Sequence, residues 1–278
     1  MNLVAAKISE LEPSVTLSVT SEAKRLRAEG IDVCSFGAGE PDLDTPEYVK
    51  EAAIQALRDG KTKYTAATGI PELREAISEK LTAENNVQYP VDQISVNCGA
   101  KHSIYNAILA TCDPEDEVII PAPYWTSYPE MVKMAGAEPF IVETEKANGW
   151  KITPEQFEES ISGRTRMIIL NSPNNPTGAV YSQAELEALA EVALSEDIVI
   201  LSDEIYEKLI YNERKHFSVA SISEEVRDLT ITINGFSKVY SMTGWRLGYT
   251  AAPKQVADAI STIQSHTTSN PCSFAQYG

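Results

Sequence analysis

The sequence predicts an α/β protein with a mostly parallel central sheet and helices on both of its faces. From residue 90 onward, short β-rich runs alternate with longer helical ones. Most of the short runs are apolar at consecutive positions, as in strands buried on both faces, and such strands separated by helices belong to parallel sheets. Two of the intervening segments also carry paired helix-start signals.

Taken in chain order, residues up to about 30 carry no strand signal and read as an arm followed by a helix over 21–29. Helical stretches over 47–59 and 72–84 flank the loop Lys61-Thr-Lys-Tyr-Thr-Ala-Ala-Thr-Gly-Ile-Pro71. Strands are expected over 93–97, 117–120, 138–142, 166–170, 198–201 and 229–233, with a helix over 102–110 opening after Gly99-Ala100-Lys101. Thr153-Pro154-Glu155-Gln156 puts Pro at a first helical position and Gln three residues after the cap. Ser182 and Glu185 form a second capping box. It leads into Leu186, Leu189, Ala190, Ala193 and Leu194, which share one helical face.

The chain has 278 residues, a length that suggests about two domains. With 43% hydrophobic and 23% charged residues it is globular rather than disordered. Its 23 Lys+Arg against 40 Asp+Glu give a net charge of −17, which argues against a nucleic-acid binder, whose affinity rests on clustered cations. No apolar run reaches the roughly 18–20 residues of a membrane helix, and residues 1–10 lack the basic-then-apolar order of a secretory signal, so the cytoplasm is the expected compartment. Cys34, Cys98, Cys112 and Cys272 show no CxxC spacing; reduced packing thiols are expected, with neither a disulfide framework nor a metal site. There is no internal repeat, low-complexity tract or Gly/Ser linker.

In a parallel α/β sheet, ligands sit beyond the carboxyl ends of the strands. Those ends lead into Cys98-Gly-Ala-Lys101, Pro121-Ala-Pro-Tyr-Trp125, Asn171-Ser-Pro-Asn-Asn-Pro-Thr-Gly178, Ser202-Asp-Glu-Ile-Tyr206 and Asn234-Gly-Phe-Ser-Lys238. Together they supply backbone amides at a helix start, an aromatic face, a side-chain amide, a carboxylate and an amine. That set suits a planar, phosphorylated, nitrogen-containing aromatic cofactor. Singly, each has a plainer reading: a solvated helix start, a packed Trp, a turn, a strand-edge acid or a surface lysine.

The segment Gly235-Phe-Ser-Lys-Val-Tyr-Ser-Met-Thr-Gly-Trp-Arg-Leu-Gly248 resembles the lysine signature of class I pyridoxal-phosphate aminotransferases. Asn171–Gly178 and Ser202–Tyr206 match the same family in the same order, with Lys238 placed 35 residues after Asp203. The resemblance runs from about Pro13 to the last residue and is strongest to the prokaryote-type aspartate aminotransferases and their prephenate aminotransferase relatives. It implies fold type I, with residues 1–42 forming an N-terminal arm and the start of a small domain, and 43–278 a large cofactor-binding domain.

By the same resemblance, Lys238 carries pyridoxal 5'-phosphate and later moves a proton. A lysine of lowered pKa can be both nucleophile and base, whereas an arginine never yields its proton. Asp203 would face the pyridine nitrogen and keep it protonated. Tyr206 and Asn175 would hydrogen-bond the phenolic oxygen, and Trp125 would stack on the ring. Arg246, Ser237 and the amides of Gly99, Ala100 and Lys101 would hold the phosphate. Tyr64 resembles a tyrosine that reaches the phosphate of a neighbouring subunit, which implies a homodimer with shared sites. Gly235 stands where many relatives carry Ser, so one phosphate contact is expected to be missing.

For substrate, Gly39 would offer its amide to the α-carboxylate. Lys101, with the hydroxyls of Ser14 and Thr16, would favour a second carboxylate, as in aspartate, glutamate or prephenate. Trp125 and Asn175 would also face it. Screening over about 8 Å lets such local positive points act within a negative protein. His102, His216 and His266 match no catalytic position. The implied reaction is transamination of aspartate with 2-oxoglutarate. Two alternatives stay open, a C–S β-lyase using the same cofactor and a non-catalytic aminotransferase-like module. Family members continue beyond the position of Gly278 into a segment bearing a carboxylate-binding arginine, and no Arg follows Arg246 here. Residues 1–278 alone are therefore expected to bind cofactor weakly and to transaminate poorly.

Overall fold

The computed structural model describes residues 3–9, 11–13, 15–34, 37 and 39–278; the side chains of Ala6, Lys7 and Leu17 are also outside the description. Seven strands, β1 (Ile94–Asn97), β2 (Glu117–Ala122), β3 (Glu138–Glu143), β4 (Thr165–Asn171), β5 (Val199–Asp203), β6 (Thr230–Gly235) and β7 (Gly248–Ala251), form one sheet in the order β1-β7-β6-β5-β4-β2-β3. Helices α1 (Ala6–Ser9), α2 (Val15–Ala28), α3 (Glu47–Arg58), α4 (Pro71–Asn85) and α5 (Ala100–Thr111) come first. They are followed by α6 (Ser127–Ala135), α7 (Pro154–Glu159), α8 (Gln183–Ser195), α9 (Glu224–Leu229) and α10 (Lys254–Thr267).

The period-2 alternation of the central strands sorts their side chains into two cores, while Ile94 and Val96 of β1 and Tyr249 and Ala251 of β7 pack with Val49, Ile77 and Leu81 in a third. Met167, Ile169, Val199, Leu201, Ile231 and Ile233 face α5, α6 and α10 and pack on Ile104, Ile108, Met131 and Ile260. Ile168, Leu170, Ile198 and Ile200 face the other way, onto Phe157 of α7 and Leu186 and Leu189 of α8. Both expected capping boxes are formed, Thr153 with Gln156 and Ser182 with Glu185, so each helix start has its orphan donors satisfied.

All six expected strands exist, with ends close to those read from the sequence. The sheet departs from expectation in two ways. β7 lies outside the expected set: it is four residues long, sits at the end of the lysine-signature segment, and runs antiparallel to both β1 and β6. β3 is an edge strand, exposed at alternate positions rather than buried on both faces. The first long helix begins at Val15, not near residue 21. Its opening Val15-Thr-Leu-Ser-Val-Thr20 is rich in β-branched residues, which lower helix propensity and hide the helix from a sequence reading. Among the described residues, no helix is long and apolar enough to cross a membrane. All four cysteines are free thiols.

Register decides what the sheet presents at its carboxyl edge. Asn171 pairs with Asp203 and Asp203 with Ile233. Gly248 pairs with Gly235 on one side and Asn97 on the other. The ends of β1, β4, β5 and β6 therefore lie along one rim, together with the start of β7.

Gly248 is the closest packing point of that rim. A Cβ there would lie 2.4 Å from the amide nitrogen of Ala100 and 2.6 Å from the carbonyl carbon of Gly99, both backbone atoms. Gly248→Ala should push the first turn of α5 off the sheet and cost about 1–3 kcal/mol, the range for overpacking. Thermal denaturation checks the size of the loss. An unchanged melting temperature would mean the turn is free to move.

Candidate active site

The carboxyl rim brings together most of the residues singled out in the sequence. Asp203, the last residue of β5, is buried: Tyr128 Oη donates to its Oδ2 at 2.6 Å and the Ile205 amide to its Oδ1 at 3.2 Å. Burial pushes its carboxyl up to about 6; the Tyr128 and Ile205 hydrogen bonds pull it back and the charge of Glu204 pushes the same way as burial. An acid held there is poised to give up its proton once a cation is placed against it.

Lys238 follows β6. It is half-buried, and its Nζ donates to the carbonyl of Gly39 at 2.7 Å and lies 5.7 Å from the Tyr206 ring centroid. Burial lowers the pKa of this amine; Glu40 opposes the shift and Arg246 adds to it. Asn175 Nδ2 meets Tyr206 Oη at 3.5 Å, so the amide and the phenol converge on one point. Burial, the charge of Asp203 and the Asn175 contact together set the Tyr206 phenol at about 12.

Trp125 presents its ring to Lys101, whose Nζ lies 4.8 Å from the ring centroid. It also meets Tyr128 edge-on, centroids 5.4 Å apart at 86°. Partial burial and then Arg246 hold the Lys101 amine below the ordinary lysine value. Arg246 has left-handed backbone, φ 56°, and donates to the carbonyls of Thr243 at 3.0 Å and Cys98 at 3.4 Å. Gly99, φ 89°, packs so tightly beneath it that a Cβ would fall 2.4 Å from Arg246 Nη2. The guanidinium thus lies directly over the amide-lined start of α5, a ready anion cradle. Ser237, next to Lys238 in sequence, is buried, and Tyr64, at 89% exposed, stands free of its own chain.

Gly235 is filled from behind. A Cβ there would come within 2.9 Å of Gly248 Cα and 3.1 Å of the Leu247 carbonyl oxygen, so this packing leaves no room for a hydroxyl-bearing side chain. Gly39 reaches the site through its carbonyl, while Thr16 lies in the first turn of α2 and Ser14 is outside the described residues.

Three features of the rim are not legible in the sequence. Tyr128 sits on α6, a helix outside the expected set, and its partnership with Asp203 joins residues 75 apart. Asn171 braces two motifs at once, donating to the Asp203 carbonyl at 2.9 Å and accepting from the Asn175 amide at 2.7 Å. Its place at the head of the Asn171–Gly178 motif is the available signal. Glu204 and His216 form a buried ion pair at 2.9 Å, and with Glu207 they make a group able to hold a metal ion. The carboxylates are already engaged: Glu204 accepts from Ser202 and Ser218, and Glu207 from Lys80 and Asn85. His216 is therefore a structural counter-charge, held protonated more readily by Glu204 despite its burial.

A buried acid, an amine of lowered pKa, a phenol–amide pair, an aromatic face and an anion cradle at one sheet edge define a site for a planar nitrogen heterocycle with an anionic tail. Residues 31–278 match the family described as aminotransferase class I and II, and the chain belongs to that family. It is 50% identical over 275 residues to the probable aspartate/prephenate aminotransferase of Aquifex aeolicus and to the aspartate aminotransferase of Bacillus subtilis. Each alignment covers 99% of this chain and 70% of the relative. Among solved structures, the aspartate aminotransferase from Thermus thermophilus with maleate superposes with a TM-score of 0.96 at 45% identity. That match covers all of this chain and 72% of the other, and it places the fold in type I.

Proposed function

We propose that this chain transfers the amino group of aspartate to 2-oxoglutarate with pyridoxal 5'-phosphate as cofactor, and that prephenate is an alternative amino acceptor. The observation that carries the proposal is the grouping of Lys238, Asp203 and the Tyr206–Asn175 pair at neighbouring strand ends, with the Gly99–Arg246 cradle beside them. The residues fit the cofactor in two respects. Asp203 is a buried acid that a ring nitrogen would complement, and the absence of a side chain at Gly99 lets the Arg246 guanidinium lie against the start of α5, where it and the backbone amides can meet one anion.

When bound, the cofactor supplies an electron sink for the bond broken at the substrate Cα. Lys238 would take the proton from the substrate Cα and deliver it to C4′ of the cofactor, a task suited to an amine kept below its ordinary pKa. Asp203 holds the ring nitrogen protonated, and Tyr128 and Ile205 fix the orientation of its carboxylate. Tyr206 and Asn175 bind the ring oxygen, while Trp125 covers the ring face. Arg246, Ser237 and the amides of Gly99, Ala100 and Lys101 bind the phosphate. Gly39 contacts the substrate α-carboxylate.

Lys101 supplies the positive point for a distal carboxylate, with the hydroxyls of Thr16 and Ser14 as its partners in this reading. The Thermus relative was solved with maleate, a dicarboxylate, which agrees with this assignment. Tyr64 serves the phosphate of a second copy, giving a cytoplasmic homodimer. In this reading residues 1–42 are the arm and the start of a small domain, and 43–278 the large domain.

Two measurements test the proposal. Titration of the purified chain with pyridoxal phosphate, carried high enough to saturate weak binding, should produce a visible absorbance band that shifts, however slowly, when aspartate is added. A band unaffected by aspartate would oppose it. Lys101→Leu should lower kcat/KM for aspartate by about 10- to 100-fold, the worth of one charge-assisted hydrogen bond, and change that for alanine little. Equal losses for both substrates would remove Lys101 from distal-carboxylate recognition.

A further inference from the structure

Gln264 lies on α10, away from the candidate site, and is fully buried, yet its carboxamide is hydrogen-bonded to two separate segments of the chain. Its Oε1 accepts from Asn97 Nδ2 at 2.8 Å. Its Nε2 donates to the carbonyl of Val96 at 2.7 Å and to the carbonyl of Ala67.

Each partner leads to the anion cradle or to the loop bearing Tyr64. Asn97 ends β1; its carbonyl accepts from the Gly99 amide at 2.7 Å, and its Oδ1 accepts from Ser103 of α5 at 2.8 Å and Thr250 of β7 at 2.9 Å. Ala67 lies three residues after Tyr64, and its neighbour Thr68 accepts from the Val96 amide at 2.9 Å. A single side chain therefore holds the Gly99 turn and the Tyr64 loop in one frame. A glutamate at 264 has no N–H to offer the two carbonyls, and an apolar residue leaves both carbonyls and the Asn97 amide unpaired in a dry interior.

We infer that Gln264 is a positioning residue for the cofactor phosphate, setting the Gly99–Lys101 amides and the Tyr64 loop at their working geometry. The inference rests on the pyridoxal-phosphate reading above. Its test compares pyridoxal 5'-phosphate with pyridoxal, which lacks only the phosphate. Cofactor-free wild type, Gln264→Met and Thr250→Val are titrated with each and followed by absorbance.

Wild type should prefer the phosphorylated form. Gln264→Met should lose about tenfold in affinity for it, and Thr250→Val, which removes one of the two hydroxyls on Asn97, about threefold. Affinity for pyridoxal should stay put in both variants. Equal weakening of both ligands would reveal a merely structural residue and overturn the inference, as would unchanged affinity for both. If Gln264→Met does not fold, Thr250→Val makes the same distinction. Wild type that binds neither ligand would overturn the cofactor reading and this inference with it. Variants that retain full wild-type discrimination would overturn the role of Gln264 alone.

Discussion

Lys238→Ala should abolish transamination while leaving the fold intact. The side chain is half-buried at the rim and makes one hydrogen bond, to the Gly39 carbonyl, so truncation removes little packing. It does remove the amine placed against the Tyr206 ring. Loss of a positioned general base alone costs up to about 10⁴-fold, and the amine is also the proposed attachment point, so at least that loss is expected in kcat. Lys238→Arg should be equally inactive although its charge is kept, because a guanidinium does not release its proton. Borohydride treatment of the cofactor-loaded wild type should fix the cofactor to the peptide containing Lys238, as read by mass spectrometry, and should fix none in Lys238→Ala. Residual activity within tenfold of wild type would remove Lys238 from the chemistry.

Asp203→Asn should leave cofactor binding within a few-fold and lower kcat by about 10²–10³-fold, the range for loss of one preorganised charged partner. Asparagine keeps the shape and can still accept from Tyr128, but it cannot hold a proton on a ring nitrogen. The same substitution makes a stability prediction of defined sign. In the ligand-free chain burial raises the Asp203 carboxyl from 3.8 to about 6, so the folded state binds this proton more tightly than the unfolded state does. Its contribution therefore favours folding below about pH 4 and fades as pH rises through about 6, a change of about 3 kcal/mol. Urea denaturation at pH 4 and pH 7 should show this component in wild type and not in Asp203→Asn. A difference between the two proteins that does not vary with pH would contradict the placement of Asp203 as a buried acid.

The site is legible in the sequence where its chemistry is carried by contiguous motifs. Lys238, Asp203, Tyr206 and Asn175 each follow a strand whose apolar run is visible by itself, and local caps such as Ser182–Glu185 report their helices directly. What the sequence conceals is long-range. β7 is too short to announce itself, and its slot between β1 and β6 is set by the close approach of Gly248 to α5. Tyr128 and Gln264 lie on α6 and α10, helices outside the expected set, and no local motif marks either residue. Only the folded chain brings the first onto Asp203 and the second between β1 and the Tyr64 loop. Gly235 marks the same boundary: its departure from the family pattern is visible in the sequence, while the reason, the Gly248 backbone pressed against it, is not.

In the proposed reaction this site moves an amino group from aspartate to its cofactor. The most direct measurement is a single half-reaction: the chain loaded with pyridoxal 5'-phosphate is mixed with aspartate, with no oxo-acid acceptor present, and the keto product is quantified per bound cofactor. One oxaloacetate should form for each bound cofactor, with no free ammonia, and neither product should appear with Lys238→Ala. Bound cofactor with no oxaloacetate, or ammonia released in step with product, would contradict that reaction.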